Sequence, residues 1–296
     1  MIEIERLTKI YPNGHRALNA LSLQIGQGMF GLVGPNGAGK TTLMRTLATL
    51  LRPTDGRVVI FGNDLATFRG QEGTRNLLGY LPQEAGFHLE LTVEQELDYL
   101  AILKRVTHSA ERARQVTEAL ERVGLYQARR ERVRTLSGGL KRRLGIAIAL
   151  LGNPRLIIVD EPTAGLDPAE RVRFRNLLFE LAGERVVILS THIVEDVNQI
   201  CSDLAVLRDG NLLFRGSPKE LVERIDGKVW AVSNHEAKLV DGDSVISLRV
   251  TSEGGESHVF SDEPPTPSAR PVNPTLEDAY LWLVQGGHGE TDRQAS

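Results

Sequence analysis

Several residue types and patterns are scarce in this sequence of 296 residues, and each scarcity excludes a class of protein. The single cysteine, Cys201, cannot form a disulfide within the chain or a cysteine-rich zinc site, which favours a cytosolic protein. No apolar run approaches the roughly 18 residues of a membrane-spanning helix, because the richest stretch, Leu144 to Leu151, is interrupted by Gly145. The N-terminus carries acids and no apolar run of signal-peptide length, so we expect no secretion of the chain.

Charge of one sign is also scarce, since the formal net charge is only −3. So small a charge argues against general nucleic-acid binding, which needs an extended basic surface. The charge is nevertheless uneven. Residues 217–296 carry 7 Lys and Arg against 14 Asp and Glu, whereas residues 1–216 have a net charge of +4. We therefore expect two regions with different roles.

Short β-rich segments alternate with helical segments from residue 1 to about residue 216. Two of the β-rich segments, Leu156–Val159 and Val186–Leu189, are continuous apolar runs, as expected of strands buried on both faces of a parallel sheet. The other predicted strands are Leu21–Ile25, Met29–Val33 and Val58–Phe61. The predicted helices are Lys40–Leu51, Val93–Arg105, Ala110–Val123, Gly138–Leu151 and Ala169–Leu181. This alternation predicts an α/β fold with a mostly parallel core sheet.

The pattern changes after Gly216. Ser217 is a predicted cap for a short helix, Lys219–Arg224, and a last helix is predicted around Thr275–Val284. Between these helices, alternating segments predict small antiparallel strands: Val229–Val232, Ser244–Val250 and Ser257–Phe260. We expect a small α+β domain over residues 217–285, followed by a disordered polar tail, 286–296.

The strongest chemical signal is a glycine-rich loop between the predicted strand Met29–Val33 and the helix that starts near Lys40. Its residues are Gly34, Pro35, Asn36, Gly37, Ala38, Gly39, Lys40, Thr41 and Thr42. Glycines let several backbone N–H groups converge on phosphate oxygens, and the helix N-terminus adds a positive dipole end. Lys40 would contact the β- and γ-phosphates, and the Thr41 hydroxyl would ligate Mg²⁺. The loop therefore predicts binding of a nucleoside triphosphate.

Two acids, Asp160 and Glu161, directly follow the apolar run Leu156–Val159. In open α/β sheets, ligands bind at the carboxyl ends of the strands. Asp160 is therefore the predicted second anchor for Mg²⁺. Glu161 is the predicted group that polarises the attacking water.

A second candidate anion site precedes the predicted helix Gly138–Leu151. Ser137, Gly138 and Gly139 can offer a hydroxyl and backbone N–H groups at the start of that helix. One phosphate-binding loop and one separate phosphate cap in the same chain indicate that each nucleotide is shared by two subunits.

Together these segments resemble the nucleotide-binding subunit of ATP-binding cassette (ABC) transporters over about residues 2–216. Gly34–Thr42 is similar to the Walker A loop, and Leu156–Glu161 is similar to the Walker B strand with its following glutamate. Leu136–Leu140 resembles the family's signature motif, although Leu140 stands where glutamine is usual. The implied fold is a cassette over residues 1–216, with a helical subdomain at about 84–150.

The resemblance implies roles for four more residues. Gln83 matches the Q-loop glutamine that ligates Mg²⁺ and senses the membrane partner, and Tyr11 is placed like the aromatic that stacks on adenine. Asp167 lies in a segment that resembles the D-loop, and His192 is similar to the switch histidine. The implied cofactors are ATP and Mg²⁺, and the implied catalytic residues are Glu161, His192 and Lys40.

Three classes of ABC protein share such motifs: transporter ATPases that dock on a separate permease, soluble ATPases acting on ribosomes, and DNA-repair ATPases. Ribosome-acting members carry two cassettes in one chain. Repair members insert a long coiled coil between the Walker A and signature motifs, where this chain has only the segment from Thr42 to Thr135. These differences favour the transporter class. The implied location is peripheral, on the cytoplasmic face of the cell membrane, with membrane contact only through the permease.

The expected partners are an integral membrane permease and a second ATPase subunit, either another copy of this chain or a different one. Phe87, Leu89 and Leu91 follow Gln83 and predict an exposed apolar docking surface that continues over the helices to about Leu125. The segment Pro274–Tyr280 resembles export-type subunits, with import as the alternative. The transported substrate is chosen by the permease, so the sequence does not name it.

Overall fold

The computed structural model describes residues 1–183, 185–233, 236, 245–251 and 254–286. Its strands are β1 (Ile2–Ile10), β2 (Arg16–Ile25), β3 (Gly28–Val33), β4 (Asp55–Ile60), β5 (Asn63–Asp64), β6 (Leu78–Leu81), β7 (Leu156–Asp160), β8 (Val186–Thr191), β9 (Asp203–Arg208), β10 (Asn211–Gly216), β11 (Val229–Ser233), β12 (Val245–Thr251), β13 (Gly254–Phe260) and β14 (Arg270–Pro271). Its α-helices are α1 (Lys40–Leu47), α2 (Phe68–Leu77), α3 (Val93–Leu103), α4 (Ser109–Arg122), α5 (Gly138–Leu150), α6 (Pro168–Ala182), α7 (Val194–Ile200), α8 (Pro218–Glu223) and α9 (Leu276–Gln285).

The central sheet has the strand order β10–β9–β3–β8–β7–β6. All neighbouring strands in it pair in parallel except β10 and β9, which form an antiparallel hairpin. The register pairs Val33 with Thr191 and Asp160 with Ser190, so the loops that follow β3, β8 and β7 start side by side. The predicted α/β fold with a mostly parallel core sheet is confirmed.

Two hydrophobic cores lie on opposite faces of the central sheet. Phe30 and Leu32 of β3 face one core, which α1 and the antiparallel sheet β2–β1–β4–β5 complete. Met29 and Val33 face the other core, which contains residues of α3 to α7 and α9. This division follows from the two-residue period of a strand, because successive side chains point to opposite faces.

The predicted helix Lys40–Leu51 is shorter in the structure, where α1 ends at Leu47. Ala48 is its C-cap, and Thr49 has a φ of 61°, in the left-handed region that interrupts a right-handed helix. The other predicted helices occur with ends shifted by one or two residues.

The C-terminal residues form an antiparallel sheet, β12–β13–β11–β14, with helices α8 and α9. Ser217 caps α8 in a capping box with Glu220, and α9 packs against α7 and α8. The predicted tail lies, apart from Gly286, outside the described residues, as does Ser244. Among the helices that the structure describes, none combines the length and the hydropathy needed to cross a bilayer.

The contact between β6 and α5 generates a prediction about stability. A Cβ on Gly79 would lie 2.1 Å from the carbonyl oxygen of Ala149, so α5 would have to move away from the sheet. We expect Gly79→Ala to lower the free energy of unfolding by about 1–3 kcal/mol in urea denaturation, as overpacking does. Gly26→Ala is the matched control, because no atom lies within 4 Å of that Cβ position. Equal losses of stability in the two variants would contradict this account.

Candidate nucleotide-binding site

The glycine-rich loop joins β3 to α1 and ends at Gly39, the N-cap residue of the helix. Gly39 has a φ of 102°, and a Cβ there would lie 2.4 Å from the carbonyl oxygen of Ala17. Only glycine fits this position, because the left-handed backbone and the close approach both disfavour a side chain. With no side chain to cap the helix, the N–H groups of its first turn can bind an anion.

The loop forms one wall of a cavity of about 180 Å³. The lining residues are Tyr11, His15, Ala17, Asn36, Gly37, Ala38, Gly39, Lys40, Thr41, Thr42, Gln83 and Glu161. The fold thus brings together predicted site residues from the N-terminal sheet, the loop, the segment after β6 and the end of β7. His15 and Ala17 also line the cavity, and no sequence motif marked them.

Lys40 is held inside the cavity by backbone carbonyls and acids. Its Nζ donates to the carbonyl oxygens of Gly34 at 2.6 Å and Pro35 at 3.1 Å, and it lies 3.7 Å from Oε1 of Glu161. Burial lowers the pKa of Lys40, and the negative charges of Glu161 and Asp160 oppose that shift. The ammonium group is therefore positioned where phosphate oxygens could replace its carbonyl partners.

Asp160 has the environment of a metal ligand. Its side chain is almost completely buried, and neither carboxylate oxygen has a hydrogen-bond partner among the described residues. Burial raises the pKa of Asp160, while the charge of Lys40 and the hydroxyls of Ser190 and Thr41, which are near the carboxylate but outside hydrogen-bond geometry, act in the opposite direction. An unsatisfied buried carboxylate beside a threonine hydroxyl fits Mg²⁺, a hard cation that prefers oxygen ligands.

Gln83 lines the same cavity and is exposed. The guanidinium of Arg142, from the first half of α5, donates to the backbone carbonyl of Gln83 at 2.7 Å. This contact ties the segment after β6 to the helix that Ser137 caps. Gln83 therefore contacts both the cavity and α5.

Glu161 and His192 form a pair across the ends of β7 and β8. Nδ1 of His192 lies 2.6 Å from Oε2 of Glu161, and the N–H of Glu161 donates to the carbonyl of Ser190 at 3.0 Å. Glu161 has a φ of 50°, a conformation that costs a non-glycine residue about 1–3 kcal/mol unless its surroundings enforce it. This turn aims a buried carboxylate at the cavity, while half of the His192 side chain remains exposed.

Tyr11 stands beside the loop, where its hydroxyl lies 3.2 Å from Oγ1 of Thr42. The ring of His15 is nearly parallel to that of Tyr11, with centroids 6.4 Å apart, and Nζ of Lys9 lies 5.6 Å from the Tyr11 centroid. Flat rings at the edge of a phosphate-binding cavity can stack on a planar base.

The signature residues and Asp167 do not line this cavity. Ser137 caps α5, since its Oγ accepts from the N–H of Leu140 at 3.3 Å. Asp167 caps α6, since its Oδ1 accepts from the N–H of Glu170 at 2.8 Å. Ser137, Gly138 and Asp167 are exposed, and Gly139 is partly exposed. Within one chain, the structure therefore leaves these residues apart from the cavity that contains Lys40.

Comparisons with known proteins agree with this geometry. A family model described as ABC transporter matches residues 18–164. The probable multidrug ABC transporter ATP-binding protein YbhF of Escherichia coli is 33% identical over 99% of this chain and 53% of its own length. The chain thus spans about half the length of that relative.

Two further comparisons cover more of the related protein. The uncharacterized ABC transporter ATP-binding protein YxlF of Bacillus subtilis is 35% identical over 80% of this chain and 77% of its own length. The dimeric structure of the ATP-binding cassette MJ0796 in a post-hydrolysis state, bound to ADP and Pi, matches 73% of this chain and 98% of its own, with 26% identity and a TM-score of 0.67. The protein described here therefore belongs to the family of ABC transporter ATP-binding proteins.

Proposed function

We propose that this chain is the ATP-hydrolysing subunit of an ABC exporter and drives a separate membrane permease from its cytoplasmic face. The observation that carries the proposal is the single cavity that joins the loop lysine, Lys40, to the strand-end glutamate, Glu161. Two similar proteins support the assignment: YbhF is named a probable multidrug ABC transporter ATP-binding protein, and the MJ0796 cassette was solved bound to ADP and Pi. Import remains the alternative direction of transport.

The proposed domain organisation of the chain has three parts. Residues 1–216 form the ATP-binding cassette, with a helical subdomain at about 84–150. Residues 217–285 form a small C-terminal domain, and residues 286–296 form a tail. The net charge of −7 after residue 216 against +4 before it supports different roles for these regions.

Seven predicted site residues in and beside the cavity have proposed tasks in ATP binding and hydrolysis. Lys40 binds the β- and γ-phosphates through charge-assisted hydrogen bonds, which contribute about 1.5–3 kcal/mol each. Glu161 accepts a proton from the attacking water, and His192 holds that carboxylate and contacts the γ-phosphate. Tyr11 stacks on the adenine ring. When bound, Mg²⁺ would be held by Thr41, Asp160 and Gln83 and would neutralise charge on the phosphates.

The proposed active unit is a head-to-tail dimer. Ser137, Gly138 and Gly139 cap a helix outside the cavity of their own chain, so they are available to a nucleotide bound by a second chain. Two-fold symmetry would then create two equal sites, each with a loop from one subunit and a signature from the other. Asp167 would connect the two sites across the interface. A homodimer needs no other ATPase, while pairing with a different subunit is the alternative.

The proposed docking surface for the permease is a groove of about 640 Å³ between α1, α2, α3 and α5. Leu50, Phe68 and Leu103 line it and are between 62% and 75% exposed, which is unusual for large apolar side chains. Phe87 is less exposed than expected, because its side chain is partly buried against the main core. Leu89 is half exposed, but it does not line the groove.

The catalytic assignment predicts the behaviour of two variants. Lys40→Ala should weaken both ATP binding and hydrolysis, because it removes the ammonium group that contacts phosphate. Glu161→Gln keeps the shape but removes the base, so it should lower the hydrolysis rate by roughly 10²–10⁴-fold while ATP still binds. Phosphate release and ATP affinity are the measurements. Glu118→Gln, at an exposed ion pair with Arg114, is the matched control. A wild-type rate for Glu161→Gln would remove Glu161 from catalysis.

The docking assignment predicts where cross-links form. The native cysteine, Cys201, is buried, so a cysteine introduced by Phe68→Cys or Leu103→Cys can be labelled selectively with a photo-cross-linker. In membranes from cells that make the chain with its permease, both positions should capture a multi-span membrane protein. Phe179→Cys, at an exposed apolar position on α6 outside the groove, is the control. Capture of ribosomal proteins, or equal capture from Phe179→Cys, would contradict the proposed docking surface.

A further inference from the structure

A buried ionic cluster contains residues that closely follow Glu161 and His192 in the chain. No sequence motif assigned a role to its central member, Asp196. Asp196, in α7, is completely buried. Its Oδ2 accepts from the hydroxyl of Thr163 at 2.7 Å. Its Oδ1 accepts from Nε of Arg171 at 2.8 Å and from Nη1 of Arg175 at 3.1 Å, both from α6. Thr163, the two arginines and Asp196 are defined here as the Asp196 cluster.

The cluster depends on Asp196 because the charges around it are unequal. Two arginines face one carboxylate, and Nη2 of Arg171 is buried without a hydrogen-bond partner among the described residues. Charged groups removed from water are stable only when paired. Asp196 therefore holds Arg171 and Arg175 together, and Thr163 satisfies the carboxylate oxygen that the arginines leave open.

The members of the cluster are close in the chain to both residues of the catalytic pair. Thr163 lies two residues after Glu161, and Asp196 lies four residues after His192. Arg171 and Arg175 belong to α6, the helix that Asp167 caps. The cluster therefore joins the segment after β7, the helix after β8 and α6 at one buried point.

The catalytic pair needs such a support. The left-handed backbone of Glu161 persists only if the surrounding structure enforces it. One backbone hydrogen bond, to Ser190, holds the residue from the sheet side. On the other side, the N–H of Ala164 donates to the carbonyl of Glu161 at 3.4 Å, and the hydroxyl of Thr163 donates to Asp196. No member of the cluster lines the nucleotide cavity, and its contact with the catalytic pair runs through the chain segments that carry those two residues.

We propose that Asp196 and Thr163 are positioning residues for ATP hydrolysis, which hold the carboxylate of Glu161 and the ring of His192 at their contact distance. The inference rests on the proposed catalytic role of this pair. It also connects the pair to α6, the helix that Asp167 caps, through Arg171 and Asp196.

The test uses a nearly isosteric pair of variants at position 163. Thr163→Val removes the hydroxyl and keeps the volume, whereas Thr163→Ser keeps the hydroxyl. We expect Thr163→Val to lower kcat on the order of 10- to 100-fold, the loss that a misplacement of about 1 Å causes. The KM for ATP and the affinity for ATP should change less than about threefold, because the residues that bind phosphate are untouched. Thr163→Ser should retain kcat within about threefold of the wild type, because the serine hydroxyl can still donate to Asp196.

Two further variants separate positioning from stability. Asp196→Asn should lower kcat at least as much as Thr163→Val and should also lower Tm, because it leaves two arginines without their counter-charge. Asp203→Asn removes the acid of another arginine pair, Arg215–Asp203, neither of which lines the cavity, and should leave kcat unchanged. If Asp196→Asn does not fold, the comparison of the two Thr163 variants still decides the question.

The outcomes distinguish this inference from the proposed function. Glu161→Gln is measured in the same assay. If Glu161→Gln is inactive but Thr163→Val keeps the wild-type kcat, the positioning role is wrong and the catalytic role of Glu161 stands. If Glu161→Gln hydrolyses ATP at the wild-type rate, the catalytic role of Glu161 is refuted, and the positioning role that depends on it is refuted with it. A loss of kcat in Thr163→Val that Thr163→Ser shows equally would assign the effect to packing and would overturn the inference.

Discussion

The parallel register of three adjacent strands is the constraint on which the rest of the structure depends. β8 lies between β3 and β7, and the pairing of Val33 with Thr191 and of Asp160 with Ser190 aligns their carboxyl ends. Because parallel strands end at the same edge, the loop before α1, the two acids at the end of β7 and the histidine after β8 emerge side by side. The strands are buried on both faces, so a shift in register would move apolar side chains between the two cores and is strongly disfavoured.

The burial of charge at this edge explains why the cavity is suited to a nucleotide with a cation. Lys40, Asp160 and Glu161 all have relative exposures below 7%, and two acids face one ammonium group. Asp160 in particular has no hydrogen-bond partner among the described residues. Such an arrangement is costly by itself and becomes favourable when phosphate oxygens bind Lys40 and a hard cation binds Asp160.

The elements with strong local patterns could be predicted from the sequence. β7 and β8 are continuous apolar runs, and α3 to α6 have helical lengths, with side-chain caps on α3, α5 and α6, so their existence followed from composition and periodicity. The elements that were not predicted are β1, β5, β6, β9, β10, β14, α2 and α7. β6 has only four residues, and α2 contains Gly70 and Gly73, which weaken a helical pattern. The early end of α1 depends on the left-handed backbone at Thr49, for which threonine gives no local signal.

Site residues within a contiguous motif could likewise be predicted, because the spacing of the motif carries the chemistry. Contacts between distant segments could not. His15 reaches the cavity only because β1 and β2 pair, and Asp196 meets Thr163 across 33 residues through the packing of α7 against α6. The exposure of Phe87 was overestimated, because its position in a loop does not reveal that its side chain packs against the main core.

The central claim is that one chain contains two halves of a nucleotide site that only a second chain can bring together. The most direct measurement is the mass of the Glu161→Gln protein by light scattering, first with ATP and Mg²⁺ and then with ADP, in the presence of the permease and in its absence. The account predicts a dimer with ATP that dissociates with ADP and that is lost on Ser137→Arg, since the arginine would obstruct the exposed helix cap. A monomer under every condition, even at high protein concentration, would contradict the shared site.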